Sequence, residues 1–303
     1  MSKSSNASRL AKKIRDQSAL TLSTSSRLAK QVHTFLGSPI ADAPDRHQRR
    51  LEACVAHVLA TGFQDRQLNG ALLGALDAQP TAGHLTLQLE PDMADEVLRV
   101  LLPRFDEHYG GVRGVAGLRL RSRRRQIALC DALSPARIMV VRADGGPLRL
   151  PTARDGETLL WQRETSGVSQ EEESEATDWA RSMPAIVNVP VRDLLFSRIL
   201  RRPALVNRVA APHGLANCYT HHSGDLVIEW CCGDTVEAFC AVLLAHGFID
   251  DLPRPDAIEL LSPHAARLGG RTVILQRHST CMFEGERFSD HEVARRIRRD
   301  YAS

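Results

Sequence analysis

The chain has 303 residues, 43% of them hydrophobic and 25% charged, a globular composition that allows two domains with packed cores. Its 5% aromatic content disfavours an extended stacking surface for single strands, and its apolar runs fall far short of the roughly 20 residues that span a bilayer. Seven scattered cysteines favour reduced thiols over a disulfide framework, and the net charge of +3 makes charge informative only locally.

The N-terminal region, residues 1–40, predicts a basic helical arm. Ser8–Lys12 recurs as Ser26–Lys30, and each copy begins a narrow apolar stripe with i,i+4 spacing. Such an arm suits nucleic acid or a partner helix, although a frayed, solvated terminus explains it equally well. Its candidate nucleic-acid-binding residues are Arg9, Lys12, Lys13, Arg27 and Lys30.

Residues 41–163 predict a first αβ module. Helical periodicity marks residues 45–61, 67–77 and 91–105, and strict alternation marks a strand at Leu85–Leu89. Leu118–Ser122 and Gln126–Cys130 predict a β-hairpin, and Ile138–Val141 predicts a further strand.

An acidic linker is predicted at residues 164–182, which separate the two modules. It contains Glu171–Glu173, Glu175 and Asp178 among Ser, Thr and Gln. Stretches with so few apolar residues usually stay solvated, because they cannot bury enough surface to offset chain entropy.

Residues 183–303 predict a second αβ module. The predicted strands are Ala185–Val189, Leu226–Trp230, Ala257–Leu261 and Thr272–Arg277, and the predicted helices are Arg192–Leu200, Asp234–His246 and His291–Tyr301. The blocks Leu85–Phe105 and Leu226–Phe248 are alike, and each is later followed by an apolar strand that ends in Arg. We therefore expect an α+β fold with a helical N-terminal region and two mixed αβ modules. A distant internal duplication is one explanation of the likeness, and common βα patterns are the other.

An arginine hairpin is the first candidate site. On a strand Arg119 and Arg121 share one face, and the turn adds further guanidinium groups that suit phosphate oxygens. The alternative is a solvated hairpin, or arginines paired with carboxylates of residues 61–110. The candidate residues are Arg119, Arg121, Arg123, Arg124 and Arg125.

A second candidate site combines thiols and imidazoles. Cys218 and His221 have the spacing of half a zinc site, which Cys231 and Cys232 would complete. The same cysteines lie before a predicted helix, whose N-terminus would favour a reactive thiolate. Small buried thiols are the structural alternative, and we expect no other cofactor.

Taken together, these patterns predict a non-enzymatic, cytoplasmic, bacterial accessory or regulatory protein that contacts nucleic acid through its basic segments and has no membrane partner. One alternative is a protein-interaction or assembly component, with a protein partner or a homo-oligomer. The other is a Cys/His-dependent enzyme or zinc-binding protein. A binding role through arginine and lysine predicts strong salt dependence.

Overall fold

The computed structural model has an α+β fold, as the sequence predicts. It describes residues 8–9, 11–12, 26, 42–43, 45–64, 70–81, 84–123, 126–162, 167–181, 189–210, 215–221, 224–250, 252, 258–270 and 272–279. None of the helices in these ranges is long and apolar enough to cross a membrane.

Six α-helices and a 3-10 turn at Leu160–Gln162 lie in the described ranges. The helices are α1 (Arg46–Gly62), α2 (Ala94–Leu101), α3 (Gln170–Arg181), α4 (Val189–Leu200), α5 (Pro203–Val209) and α6 (Val236–Ala245). The longest, α1, begins where the Asp45 carboxylate accepts hydrogen bonds from the backbone N–H groups of His47 and Gln48. Its apolar face, which includes Leu51 and Val55, is buried in the core.

Thirteen strands in the described ranges form three sheets. They are β1 (Ala75–Pro80), β2 (Leu85–Leu89), β3 (Arg104–Asp106), β4 (Gly111–Arg113), β5 (Leu118–Arg123), β6 (Gln126–Asp131), β7 (Arg137–Arg142), β8 (Glu157–Leu159), β9 (Leu215–Thr220), β10 (Leu226–Trp230), β11 (Ile258–Ser262), β12 (Ala265–Leu268) and β13 (Val273–Arg277). The two large sheets have the orders β1-β2-β7-β6-β5 and β9-β10-β13-β12-β11, and the small one has the order β4-β3-β8.

The two large sheets repeat one design. In each, the central pair (β2–β7 or β10–β13) is parallel, every other pair is antiparallel, and a helix follows the second strand. Strands β1 and β9 also carry a register shift at equivalent places. Ala75 and Asp77 pair with the consecutive residues Leu89 and Gln88 of β2. Leu215 and Asn217 pair in the same way with the consecutive residues Trp230 and Glu229 of β10. Shared strand order, direction and register go beyond common βα patterns and support the internal duplication.

The small sheet is an addition to this design in the first module. Strands β3 and β4 follow α2, and β8 pairs with β3 from beyond the large sheet. In the described part of the second module, α6 is followed directly by β11 with no such hairpin.

Helices join the two modules. Helix α1 packs on α4, so the helices that precede the two sheets face each other. On α5, Asn207 accepts a hydrogen bond from the Leu72 N–H and donates to the Ala75 carbonyl beside the bulge of β1. Buried apolar residues of both modules therefore form one continuous core.

The structure corrects several sequence-based expectations. The helix predicted at residues 67–77 is wrong, because Ala75 already begins β1, and residues 65–69 lie outside the described ranges. The helix predicted at 91–105 ends at Leu101, and Phe105 belongs to β3. Val189, predicted as the end of a strand, begins α4, while the rest of that strand and the predicted helix His291–Tyr301 fall outside the description.

The acidic segment is also corrected. Residues 170–181, expected to be a solvated linker, form helix α3, and the Glu172 side chain is fully buried. The boundaries proposed for the two domains remain a prediction.

Candidate nucleic-acid interface

The predicted arginine hairpin is present, and its strands lie at one end of the first large sheet. Strand β5 is the edge strand, and its register with β6 pairs Arg123 with Gln126. Arg124 and Arg125, which lie between these two residues in sequence, are outside the described residues, as is the side chain of Arg123. Arg121 is exposed opposite Ala128 on β6. The hairpin therefore carries at least one arginine that solvent can reach.

Arg119 does not lie on the surface, and the expectation that it joins Arg121 there is wrong. Its side chain is 1% exposed. Its Nη1 and Nη2 atoms donate to Oε1 and Oε2 of Glu172, each at 2.8 Å. Period-2 alternation does place Arg119 and Arg121 on one face of β5, but α3 covers the end of the strand that begins at Leu118. Local sequence patterns around Arg119 give no sign of this cover, because Glu172 is 53 residues away.

Glu172 has two structural roles. It closes a capping box at the start of α3, because its carboxylate accepts from the Ser169 N–H at 3.1 Å and its own N–H donates to Ser169 Oγ at 3.2 Å. It also accepts from the Gly117 N–H at 3.0 Å. Burial raises the pKa of Glu172, but the hydrogen bonds from Arg119, Ser169 and Gly117 outweigh burial and hold it below its ordinary value. The S-x-x-E pattern of Ser169–Glu172 is the sequence signal from which this helix start could have been predicted.

The basic arm is described at a few positions. Arg9 and Lys12 are helical and exposed, and Ala11 between them is buried. Lys13, Arg27 and Lys30 lie outside the described residues. Whether the arm and the hairpin act together remains a prediction.

The thiol and imidazole candidates are not gathered into one site within the described ranges. Cys218 is buried on β9 opposite Ile228. Burial raises the pKa of its thiol, and the negative charge of Glu229 raises this pKa further. Cys231 and Cys232 follow β10 with their sulfur atoms 3.7 Å apart, and His221 is exposed. No group of three or more metal-ligating side chains occurs among the residues that the structure describes. A raised pKa opposes a reactive Cys218 thiolate.

A buried polar network at the α1–α4 contact escaped the sequence analysis. Arg201 donates from Nε and Nη2 to the two oxygens of Glu52, each at 2.7 Å, and both side chains are fully buried. Ser197 Oγ and Gln48 Nε2 donate to the same carboxylate. The network therefore links α1 of the first module to the C-terminal end of α4 in the second.

Titratable groups beside this network favour their neutral states. Burial raises the pKa of Cys54 to about 12, and the carboxylate of Asp193 adds to this effect. Burial lowers the pKa of His57 to about 4, with a further contribution from Arg192. A neutral thiol and a neutral imidazole fit a packed helix interface better than nucleophilic chemistry.

Comparisons with protein-family models, with curated proteins and with solved structures find no match to this chain.

Proposed function

We propose that the chain is a non-enzymatic bacterial accessory or regulatory protein that binds nucleic acid through the arginine hairpin. One observation carries the proposal. The register of β5 with β6 pairs Arg123 with Gln126 at the end of an edge hairpin that also carries the exposed Arg121, and in the sequence only Arg124 and Arg125 separate these two paired residues. An edge hairpin leaves its turn and outer strand open to a ligand, as nucleic-acid-reading β-ribbons require.

The chemistry of the turn suits a phosphate backbone. Guanidinium groups donate paired hydrogen bonds to phosphate oxygens and keep their charge at any physiological pH. Binding would neutralise phosphates and release condensed counterions, so affinity should fall steeply with salt. Arg119 contributes nothing to this surface while Glu172 occupies it.

The test compares a variant that lacks two arginines of the hairpin with a variant that lacks two arginines elsewhere on the surface. Arg124→Ala/Arg125→Ala should weaken binding to duplex DNA or RNA, and should reduce the slope of log K against log salt by about 1.8 for two lost phosphate contacts. The control is Arg149→Ala/Arg154→Ala, because both arginines are exposed outside the hairpin. Fluorescence anisotropy from 50 to 200 mM salt measures both quantities. Equal affinities and slopes for the two double variants would remove the hairpin from the proposal.

A protein-interaction or assembly role is the second candidate, and the added small sheet favours it. Tyr109 is 62% exposed in the β3–β4 turn, and the Arg113 guanidinium lies 4.1 Å from the centre of its ring. Tyr and Arg dominate the energetics of protein interfaces. Light scattering after size exclusion tests this role, since a stable oligomer that Tyr109→Ala disrupts would support it.

A Cys/His-dependent enzyme or zinc protein is the candidate that the geometry favours least. The raised pKa of Cys218 and the scatter of the four candidate ligands give it no support in the described part of the chain.

A further inference from the structure

The base of the arginine hairpin forms a compact anion-binding site. The two Nη atoms of Arg119 and the N–H of Gly117 converge on one carboxylate, at donor–acceptor distances of 2.8, 2.8 and 3.0 Å. A planar guanidinium fork combined with a backbone N–H is the donor set that proteins also offer to phosphate oxygens. Gly117 has a φ of 78°, a conformation that favours glycine and that aims this N–H at the site.

We propose that this site takes a phosphate of bound nucleic acid, and that Glu172 of α3 fills it in the absence of that ligand. Helix α3 is then an autoinhibitory element, and Arg119 is a hidden member of the binding surface. The inference rests on the proposed function, because it concerns the same hairpin. It names the ligand class of the site as a phosphodiester and the competitor as a carboxylate of the same chain.

The way α3 is held suits a helix that detaches. Among its side chains that the structure describes, residues 170–177, Glu172 alone is fully buried, and the apolar Ala176 is only partly buried. Within residues 170–177, the attachments that the structure describes are polar: the contacts of the Glu172 carboxylate and a hydrogen bond from Arg50 Nη2 to the Ala176 carbonyl at 2.8 Å. Segments with few buried apolar contacts open at a small fraction of the global unfolding free energy.

Charge also favours an exchange of ligands. Glu172 lies among Glu171, Glu173 and Glu175, whose side chains are exposed. A phosphate backbone that approaches the hairpin repels this acidic helix while it attracts Arg119, Arg121 and the turn. When α3 detaches, a phosphate replaces the Glu172 carboxylate at Arg119. The Arg119 guanidinium is therefore paired with an anion both in the free protein and in the complex.

The test compares two neutralising changes on the same helix. Glu172→Gln should release α3, whereas Glu173→Gln removes an equal charge from an exposed position as the matched control. Because nucleic acid no longer has to displace the Glu172 carboxylate, Glu172→Gln should bind more tightly than Glu173→Gln at every salt concentration from 50 to 200 mM. The salt slopes of the two variants should be equal, because both complexes contain the same Arg119–phosphate contact.

Hydrogen exchange of residues 168–181 keeps the test independent of nucleic acid. Exchange should be faster in Glu172→Gln than in Glu173→Gln. Ser169→Ala, which removes the helix cap without changing charge, should speed the exchange of α3 about fivefold on its own and also raise affinity. Circular dichroism confirms that each variant is folded.

The possible results separate the two proposals. A released α3 with no gain in affinity over Glu173→Gln overturns the anion-site inference, even if the turn arginines still govern binding. Protection of α3 unchanged in both Glu172→Gln and Ser169→Ala overturns the autoinhibitory contact. If the affinity of the wild-type protein depends neither on salt concentration nor on the turn arginines, the proposed function itself is overturned.

Discussion

Replacement of Glu52 by alanine should destabilise the protein far more than replacement of an exposed carboxylate. Glu52 accepts four hydrogen bonds, two from Arg201 and one each from Ser197 and Gln48, at 2.6–2.8 Å. Because the Arg201 side chain is 0% exposed, its charge would remain buried without a carboxylate. Removal of one partner from such a pair costs about 3–5 kcal/mol of unfolding free energy.

The matched control is the exposed pair of Glu259 and Arg267. Its N–O distance is 3.5 Å, and the two side chains are 62% and 30% exposed. Solvent screens this pair, so Glu259→Ala should cost less than about 1 kcal/mol. Urea unfolding monitored by circular dichroism yields both losses, with the m-value as a check that the unfolded reference state is unchanged.

A double variant separates the pair from the remainder of the network. Glu52→Met/Arg201→Met removes both charges and fills the space with apolar atoms, so it should be more stable than Glu52→Ala. Equal losses for Glu52→Ala and Glu259→Ala would refute the reasoning, since burial would then make no difference to the value of an ion pair.

Two further predictions concern pH and backbone space. The pKa of His57 is near 6.5 in the unfolded chain and about 4 in the folded protein. Between pH 4 and pH 6.5 the unfolded chain therefore binds more protons than the folded protein. Stability should therefore fall by about 2 kcal/mol from pH 8 to pH 5 through this residue, and urea titrations of His57→Leu should lack that loss. Gly114, with φ of 92°, would place an alanine Cβ 2.8 Å from the carbonyl oxygens of Leu101 and Leu102, while Gly110, with φ of 74°, has open space. Gly114→Ala should lower the melting temperature clearly more than Gly110→Ala, whose cost is the backbone strain of about 1–2 kcal/mol alone; equal shifts in calorimetry would contradict this.

Local patterns were sufficient for elements whose own residues determine them. Leu85–Leu89 alternates strictly between buried and half-buried positions, and the predicted bounds agree with β2. The hairpin strands and the helix that begins after Asp45 were also confirmed. Strands β1 and β12 were missed, because Ala75–Pro80 includes a proline and Ala265–Leu268 has only four residues. Pairing with β2 and β13 supplies the stabilisation that these short sequences lack.

The contacts of the candidate site could not be predicted from local sequence patterns. Alternation identified the face shared by Arg119 and Arg121, but only the fold brings Glu172 to that face from another segment. The acidic composition of residues 171–175 suggested solvation and concealed the capping box that starts α3. The fully buried pairs Arg119–Glu172 and Arg201–Glu52 join residues 53 and 149 positions apart, so no local window of the sequence contains both partners.

The repeated sheet has a consequence for how the two halves can differ. Register aligns Arg121 of β5 with Glu259 of β11, because each lies one residue beyond the position that pairing across the sheet aligns with the first residue of β2 or of β10. Two identical chains assembled about a twofold axis would carry the same charge at both places. A fused pair is free of that symmetry, and the equivalent positions on the two edge strands carry opposite charges. A polyanion that contacts Arg121 at the edge of the first sheet therefore meets a carboxylate at the equivalent place on the second.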